Sequence, residues 1–191
     1  MAVLVGRAVE RHLLAAVAAA AVRETADDLA ALQSLLDRSF GGSGSHLRSA
    51  FSQDRRLSAD ALVAALPGLF EMHLAALAGD GAPLVAPVDG FLLTGRLCVG
   101  FPPASLRARL LRRDPRVSAS YVGADVAFIV HGTFVELAGG SPFSDLYDDV
   151  ARALYVAQYG DWFDAYLDQK VATEGRGLVG YIEPRVMFAK G

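Results

Sequence analysis

The chain has 191 residues, 53% hydrophobic and 20% charged, long enough for one packed domain with an extension and too short for two ordinary ones. Eighteen Lys and Arg against 21 Asp and Glu leave a net charge of -3, which excludes a general attraction to nucleic acid and confines any anion site to a local cluster. The single cysteine, Cys98, excludes an intrachain disulfide framework and a cysteine-rich metal site, and it fits a reducing cytoplasm. Mean hydropathy is +0.32, yet the longest apolar run, residues 13–22, is far shorter than the roughly 20 residues of a membrane span. Arg7, Glu10 and Arg11 before it argue against a secretory leader. The expectation is a cytoplasmic protein with no membrane or nucleic-acid partner.

Residues 1–60 read as a helical N-terminal extension. Residues 1–40 are rich in Ala and Leu with charges at helical intervals, and Leu29, Leu32, Leu35 and Leu36 share one face, which predicts one or two helices. The run Gly41-Gly42-Ser43-Gly44-Ser45 reads as a helix stop and a flexible linker, with glycine able to take the left-handed C-terminal position. A second helix is expected over residues 58–66, capped by Ser58 and ended by Pro67-Gly68. This arm is expected to contribute stability rather than chemistry.

Residues 61–191 read as a second, barrel-forming domain, and after Gly68 the texture changes to short apolar runs divided by turn residues, the pattern of antiparallel strands. Strands are expected over residues 70–78 and 83–89, with a turn at 79–82, and over 91–94 and 97–101, with Gly95-Arg96 between them. Two more follow at 116–122 and 126–137, where Gly132 implies a bulge, and a last one at 178–188, where Pro184 implies an edge or a bulge. Helices interrupt the series at 105–113 and at 144–171, the latter divided near Gly160. Six or seven short strands with two helical insertions predict a mainly β protein with helical additions (α+β), a closed or partly closed antiparallel barrel.

The segment richest in chemistry is residues 102–117. Pro102 and Pro103 stiffen the approach, Ser105 can cap a helix, and Arg107, Arg109, Arg112, Arg113 and Arg116 follow with only Asp114 opposing them. Free N–H groups at a capped helix start, next to guanidinium groups, make a phosphate cradle. The four histidines, His12, His46, His73 and His131, show no metal-ligand spacing, and no nucleophile elbow, Walker loop or dinucleotide fingerprint occurs. Tyr155, Tyr159, Trp162, Phe163 and Tyr166 form an aromatic stripe at roughly helical spacing, for which burial is expected.

The run GDGAPLVAPVDGFLLTGRLCVGFPPASLRARLLRRDPRVSASYV, followed by FIVHGTFVEL and GYIEPRVMF, resembles the split β-barrel proteins of the pyridoxamine 5′-phosphate oxidase family over residues 61–188. That resemblance implies an FMN-binding oxidoreductase acting on an unknown small organic substrate, with the hydroxyl of Ser105 and the guanidinium of Arg107 on the coenzyme phosphate. Arg109 and Arg112 would support it, and Asp89 and Gly90 would face the isoalloxazine ring. His131 is the one histidine on strands that approach the coenzyme. It also implies a homodimer with coenzyme at the subunit interface, where the aromatic stripe could cover the site or the partner. Two alternatives stand beside this reading: a reductase using the deazaflavin coenzyme F-420, whose acidic tail would use the whole arginine run including Arg112 and Arg113, and a non-catalytic module that binds or senses flavin or haem. The chain departs from the family pattern at Phe101 and Leu106, where a small hydroxyl residue and a second basic residue are usual, and at Ala127, near the place of a flavin-contacting glutamine.

Overall fold

The structure, a computed structural model, describes residues 24–52 and 54–191, so the expected helix within residues 1–23 lies outside the described residues. Six antiparallel strands close into a barrel: β1 (Phe70–Leu77), β2 (Pro83–Leu93), β3 (Arg96–Phe101), β4 (Arg116–Val122), β5 (Ala127–Glu136) and β6 (Leu178–Lys190), in the spatial order β1-β2-β3-β6-β5-β4 with β4 returning to β1. Alternation places Met72, Leu74, Leu92, Val99, Phe128, Val130, Ile182 and Met187 in one interior core. Phe91, Leu93 and Cys98 face outward from the same strands and form a second apolar layer.

Residues 83–93 form one continuous strand rather than two. Gly90 does not break it: a Cβ there would lie 2.7 Å from Met72 Cε and 3.2 Å from the Cys98 carbonyl oxygen, so the glycine makes room for the Met72 side chain within the sheet. The tight turn after β2 is Thr94-Gly95, one residue earlier than expected, with φ values of 48° and 73°.

The Gly132 bulge is present as a register shift after His131, which pairs with Val186 while Gly132 pairs with Pro184. Pro184 lies beyond the Ile182 limit of β3 pairing, so its missing N–H breaks no ladder on that side. Two further prolines protect β2. Ala78 N–H donates to Ala82 at 2.8 Å, which sets the ladder so that Pro83, Val85 and Pro87 turn their amides away from β1. That free edge, unreached by β3, has donors missing at two of three outward positions and resists pairing with another strand.

Among the described residues three helices precede the barrel: α1 (Ala26–Gly41), α2 (Ser45–Ala50) and α3 (Ala59–Ala65). Thr25 caps α1 in a reciprocal capping box with Asp28, and Leu32, Leu35 and Leu36 enter the barrel core. The helix covers the part of β6 that lacks a strand neighbour, and the buried Ser39 hydroxyl accepts the Met187 N–H at 2.9 Å. Gly42 ends α1 at φ -82°, so the left-handed stop expected there is not used. The 41–45 run is likewise not an open linker, because the buried Ser43 hydroxyl donates to the Phe40 carbonyl and Gly44 starts α2. Ser58 caps α3 through Ala61 N–H at 3.2 Å.

Three helices interrupt the barrel: α4 (Leu106–Arg113), α5 (Pro142–Tyr159) and α6 (Trp162–Glu174). The outward layer of β2 and β3 is covered by α5 through Tyr147, Val150 and Leu154. Gly160, at φ 95°, folds α6 back along α5. No described helix is long and apolar enough to cross a membrane.

Candidate functional site

The helix α4 closes one end of the barrel because its two faces differ in chemistry. Ala108, Leu110 and Leu111 are buried in the interior core, while four arginines and the exposed Leu106 occupy the other positions. Ser105 starts it in an extended conformation (φ -65°, ψ 152°) and its hydroxyl oxygen accepts the Ala108 N–H at 3.1 Å. Asp114 N–H returns to the Leu110 carbonyl at 2.8 Å and Pro115 prevents continuation.

Closure of the barrel sorts the five arginines. Arg112 pairs with Glu136 at the end of β5 at 3.0 Å, and Arg113 donates to the Leu77 carbonyl at the end of β1 at 2.7 Å. Arg116 binds Asp114, whose carboxyl falls to about 2 because that guanidinium hydrogen-bonds it. Arg107 and Arg109 form no ion pair among the described residues. Arg107 is half-buried with its guanidinium 5.4 Å from the Phe101 ring centre, and that ring stands edge-on to Phe134 at 6.0 Å. Burial lowers the Arg107 pKa from its ordinary value, yet the group stays charged. A partly desolvated cation with no carboxylate attracts an anion. Phe101 is thus the ring on which this cation rests.

Asp89 and Gly90 are not part of this turn. Gly90 faces the barrel interior against Met72, and Asp89, on the outer face, accepts the Tyr155 hydroxyl at 3.2 Å. Burial, and then the Asp89 carboxylate, push the Tyr155 phenol above its usual range. Their connection to α4 runs through β3: Gly90 pairs with Val99, two residues before Phe101. Ala127 sits at the far end of β4 from α4, paired with Val122.

The cluster of Ser105, Arg107 and Arg109 can bind and orient an anion but contains no general acid or base. Cys98 supplies no nucleophile, since burial raises its thiol far above the ordinary value. One contact escaped the sequence reading: His131 Nδ1 lies 2.7 Å from the part-buried Ser118 hydroxyl on the outer face of β4 and β5. Only the strand register, which aligns Ser118 with His131, would have revealed it. Among the described residues no third group hydrogen-bonds to the ring of His131, so the pair does not extend to a triad.

The aromatic stripe departs from expectation. Tyr155, Tyr159 and Phe163 stack at 5.1–6.1 Å between ring centres, but Trp162, Tyr159 and Tyr166 are 62%, 42% and 43% exposed. In the single chain α6 packs on α5 and fully buries none of its own residues, so the expected burial is met only in part, by the half-buried Tyr155 and Phe163.

No protein-family model and no curated protein matches the chain. Among solved structures it is similar to a conserved hypothetical protein from Mycobacterium tuberculosis, with a TM-score of 0.50 and 17% identity over 78% of this chain and 84% of that one. Two others are an FAD-binding protein from Mesorhizobium loti (TM-score 0.47, 20% identity, 68% and 88% coverage) and the heme storage protein HutZ from Vibrio cholerae (TM-score 0.46, 16% identity, 77% and 94% coverage). At 17% identity the first of these likenesses is one of fold alone.

Proposed function

We propose that the chain binds FMN with its phosphate at the start of α4 and acts, as a homodimer, as an oxidoreductase on a small organic substrate. The observation that carries the anion site is Arg107, half-buried over Phe101 and without a carboxylate among the described residues. The choice of a flavin rests on the motif resemblance over residues 61–188. The residues present fit a phosphate. The Ser105 oxygen accepts the Ala108 N–H and keeps its own O–H to donate, while Arg107 and Arg109 add charge-assisted donors. Bound flavin would supply the hydride chemistry, and the protein's part is to hold and orient it. Because Arg112 and Arg113 are already engaged by Glu136 and the Leu77 carbonyl, the short FMN phosphate fits this cluster better than the long acidic tail of F-420.

The absorption spectrum of protein purified from a host that makes flavins, deazaflavins and haem tests the coenzyme class directly, with a flavin spectrum expected. Titration with FMN tests the site: Arg107→Ala should weaken binding by about 10- to 100-fold, for charge-assisted bonds of roughly 1.5–3 kcal/mol, while Arg112→Ala changes it far less. Equal affinities for both variants and the native chain would remove α4 as the phosphate site.

A further inference from the structure

Strand register brings a nucleophile and a base together away from α4. On β4 the inward positions include Val117 and Ala119, so Ser118 stands on the outer face; on β5 they include Phe128 and Val130, which leaves His131 outward. The two residues are direct cross-strand partners, both partly exposed, and the Ser118 hydroxyl lies 2.7 Å from His131 Nδ1. The bulge then changes the surroundings of this pair. His131 pairs with Val186 and Gly132 with Pro184, so Arg185 is the extra residue of β6, next to the strand partner of His131. Gly132 permits this, since a Cβ there would overlap the Glu183 carbonyl oxygen. Arg185 is exposed and in no ion pair among the described residues, and Glu183, opposite Thr133, does not engage it.

We infer that Ser118 and His131 form an acyl-transfer dyad, nucleophile and general base, for activated esters or thioesters that carry an acid group, with Arg185 as the anchor for that group. A hydroxyl that donates to Nδ1 requires the neutral ring with its proton on Nε2, the form that can accept a further proton. Ser118 Oγ would bond to the acyl carbon as its proton passes to Nδ1, and the bond from that carbon to the leaving oxygen or sulfur breaks as the leaving group takes the proton. Water then repeats the exchange. Its oxygen bonds to the acyl carbon, its proton passes to Nδ1 and on to Ser118 Oγ, and the acid is released. Nothing is oxidised or reduced, and water is the one co-reactant. With no third group on the ring among the described residues, acylation is confined to good leaving groups. The dyad shares no residue with the cluster of Ser105, Arg107 and Arg109 and needs no coenzyme, so it stands or falls apart from FMN binding.

The full chain as purified, treated with a fluorophosphonate, should gain a phosphonyl group with loss of fluoride, and peptide mass spectrometry should place that group on Ser118. Of two p-nitrophenyl esters with acyl chains of equal length, the hexanoate and the mono-adipate, the acid-bearing adipate should release p-nitrophenol faster. Ser118→Ala should abolish labelling and ester turnover. His131→Gln should slow both by at least about 100-fold, the lower end of what a positioned base contributes. Ser120→Ala, on the same face with Ile129 opposite it on β5, should leave both unchanged. Arg185→Ala should keep the hexanoate rate and reduce the preference for the adipate by up to about fivefold, as much as an exposed ion pair supplies. An unlabelled native chain, or a label on any other residue, overturns the dyad, and it does so without reference to how any variant folds. An adipate preference that survives Arg185→Ala overturns Arg185 as the anchor.

Discussion

The helices α1 and α6 are close in length, 16 and 13 residues, and both carry large apolar side chains, yet they meet opposite fates. The leucines of α1 recur at positions 29, 32, 35 and 36, forming one stripe, and the barrel accepts that stripe where β6 has no strand neighbour. The apolar residues of α6 are spread around its axis. One face contacts α5 through Phe163, and the rest, Trp162, Tyr166 and Val171, look outward. Composition says how much apolar surface a helix brings; its angular distribution decides whether one core can absorb it.

That contrast sets the largest expected effect. Leu35, 6% exposed at the α1–barrel contact, should cost roughly 2–5 kcal/mol when truncated in Leu35→Ala, by loss of transfer energy and by the cavity left behind. Tyr166→Ala on α6 should change the stability of the monomer by no more than about 0.5 kcal/mol. Urea unfolding of the two variants at a protein concentration that keeps them monomeric measures the difference. Similar losses for both would mean that α6 is as integral as α1, and the distinction would fail.

A smaller effect separates the polar side of the same contact. Ser39 is buried, donates to the Leu35 carbonyl at 2.7 Å and accepts Met187 N–H from the unpaired edge of β6 at 2.9 Å. Ser39→Ala leaves that buried N–H without a partner, which should cost about 1–3 kcal/mol. Hydrogen exchange at Met187 should accelerate more than at Phe128, deep in the barrel. If exchange at Met187 is unchanged, the helix is not what protects this edge.

Much of the barrel was legible because its punctuation is local. Ser58 and Ser105 announce helix starts, the 79–82 turn and Gly160 announce reversals, and Gly132 announces the bulge. Misreadings came where a residue's reason lies in a distant strand. Gly90 looks like a break in residues 83–94, but its lack of a side chain makes room for Met72 on β1. The glycines at 41 and 42 look like a left-handed stop, but the buried Ser43 and the start of α2 carry the chain onward without one. The candidate site divides in the same way. The cap and the arginine run are visible in the sequence, whereas the engagement of Arg112 by Glu136, 24 residues away, exists only after the barrel closes. With Arg113 held by the Leu77 carbonyl and Arg116 by Asp114, that engagement narrows a five-arginine run to Arg107 and Arg109.

The subtlest prediction concerns the segment that leads into α1. Glu24, half-buried just before the Thr25 cap, accepts the Gly95 N–H from the β2–β3 turn, so it ties the start of the helix to the barrel. Burial raises its carboxyl from 4.5 to about 7, with the nearby Asp28 carboxylate adding to the rise while the Gly95 bond and Arg96 oppose it. The folded state therefore holds this proton more tightly than the unfolded chain does. The contribution to stability is complete below the unfolded value and is lost as pH rises through about 7. Glu24→Gln keeps an acceptor for Gly95 and removes the titration, so its urea midpoint should vary less between about pH 5 and 8 than that of the native chain, with the gap widening toward the alkaline side. A native chain that gains stability over the same interval, relative to the glutamine variant, would show that the carboxylate is the form the fold prefers and that α1 is anchored by charge rather than by a buried neutral acid.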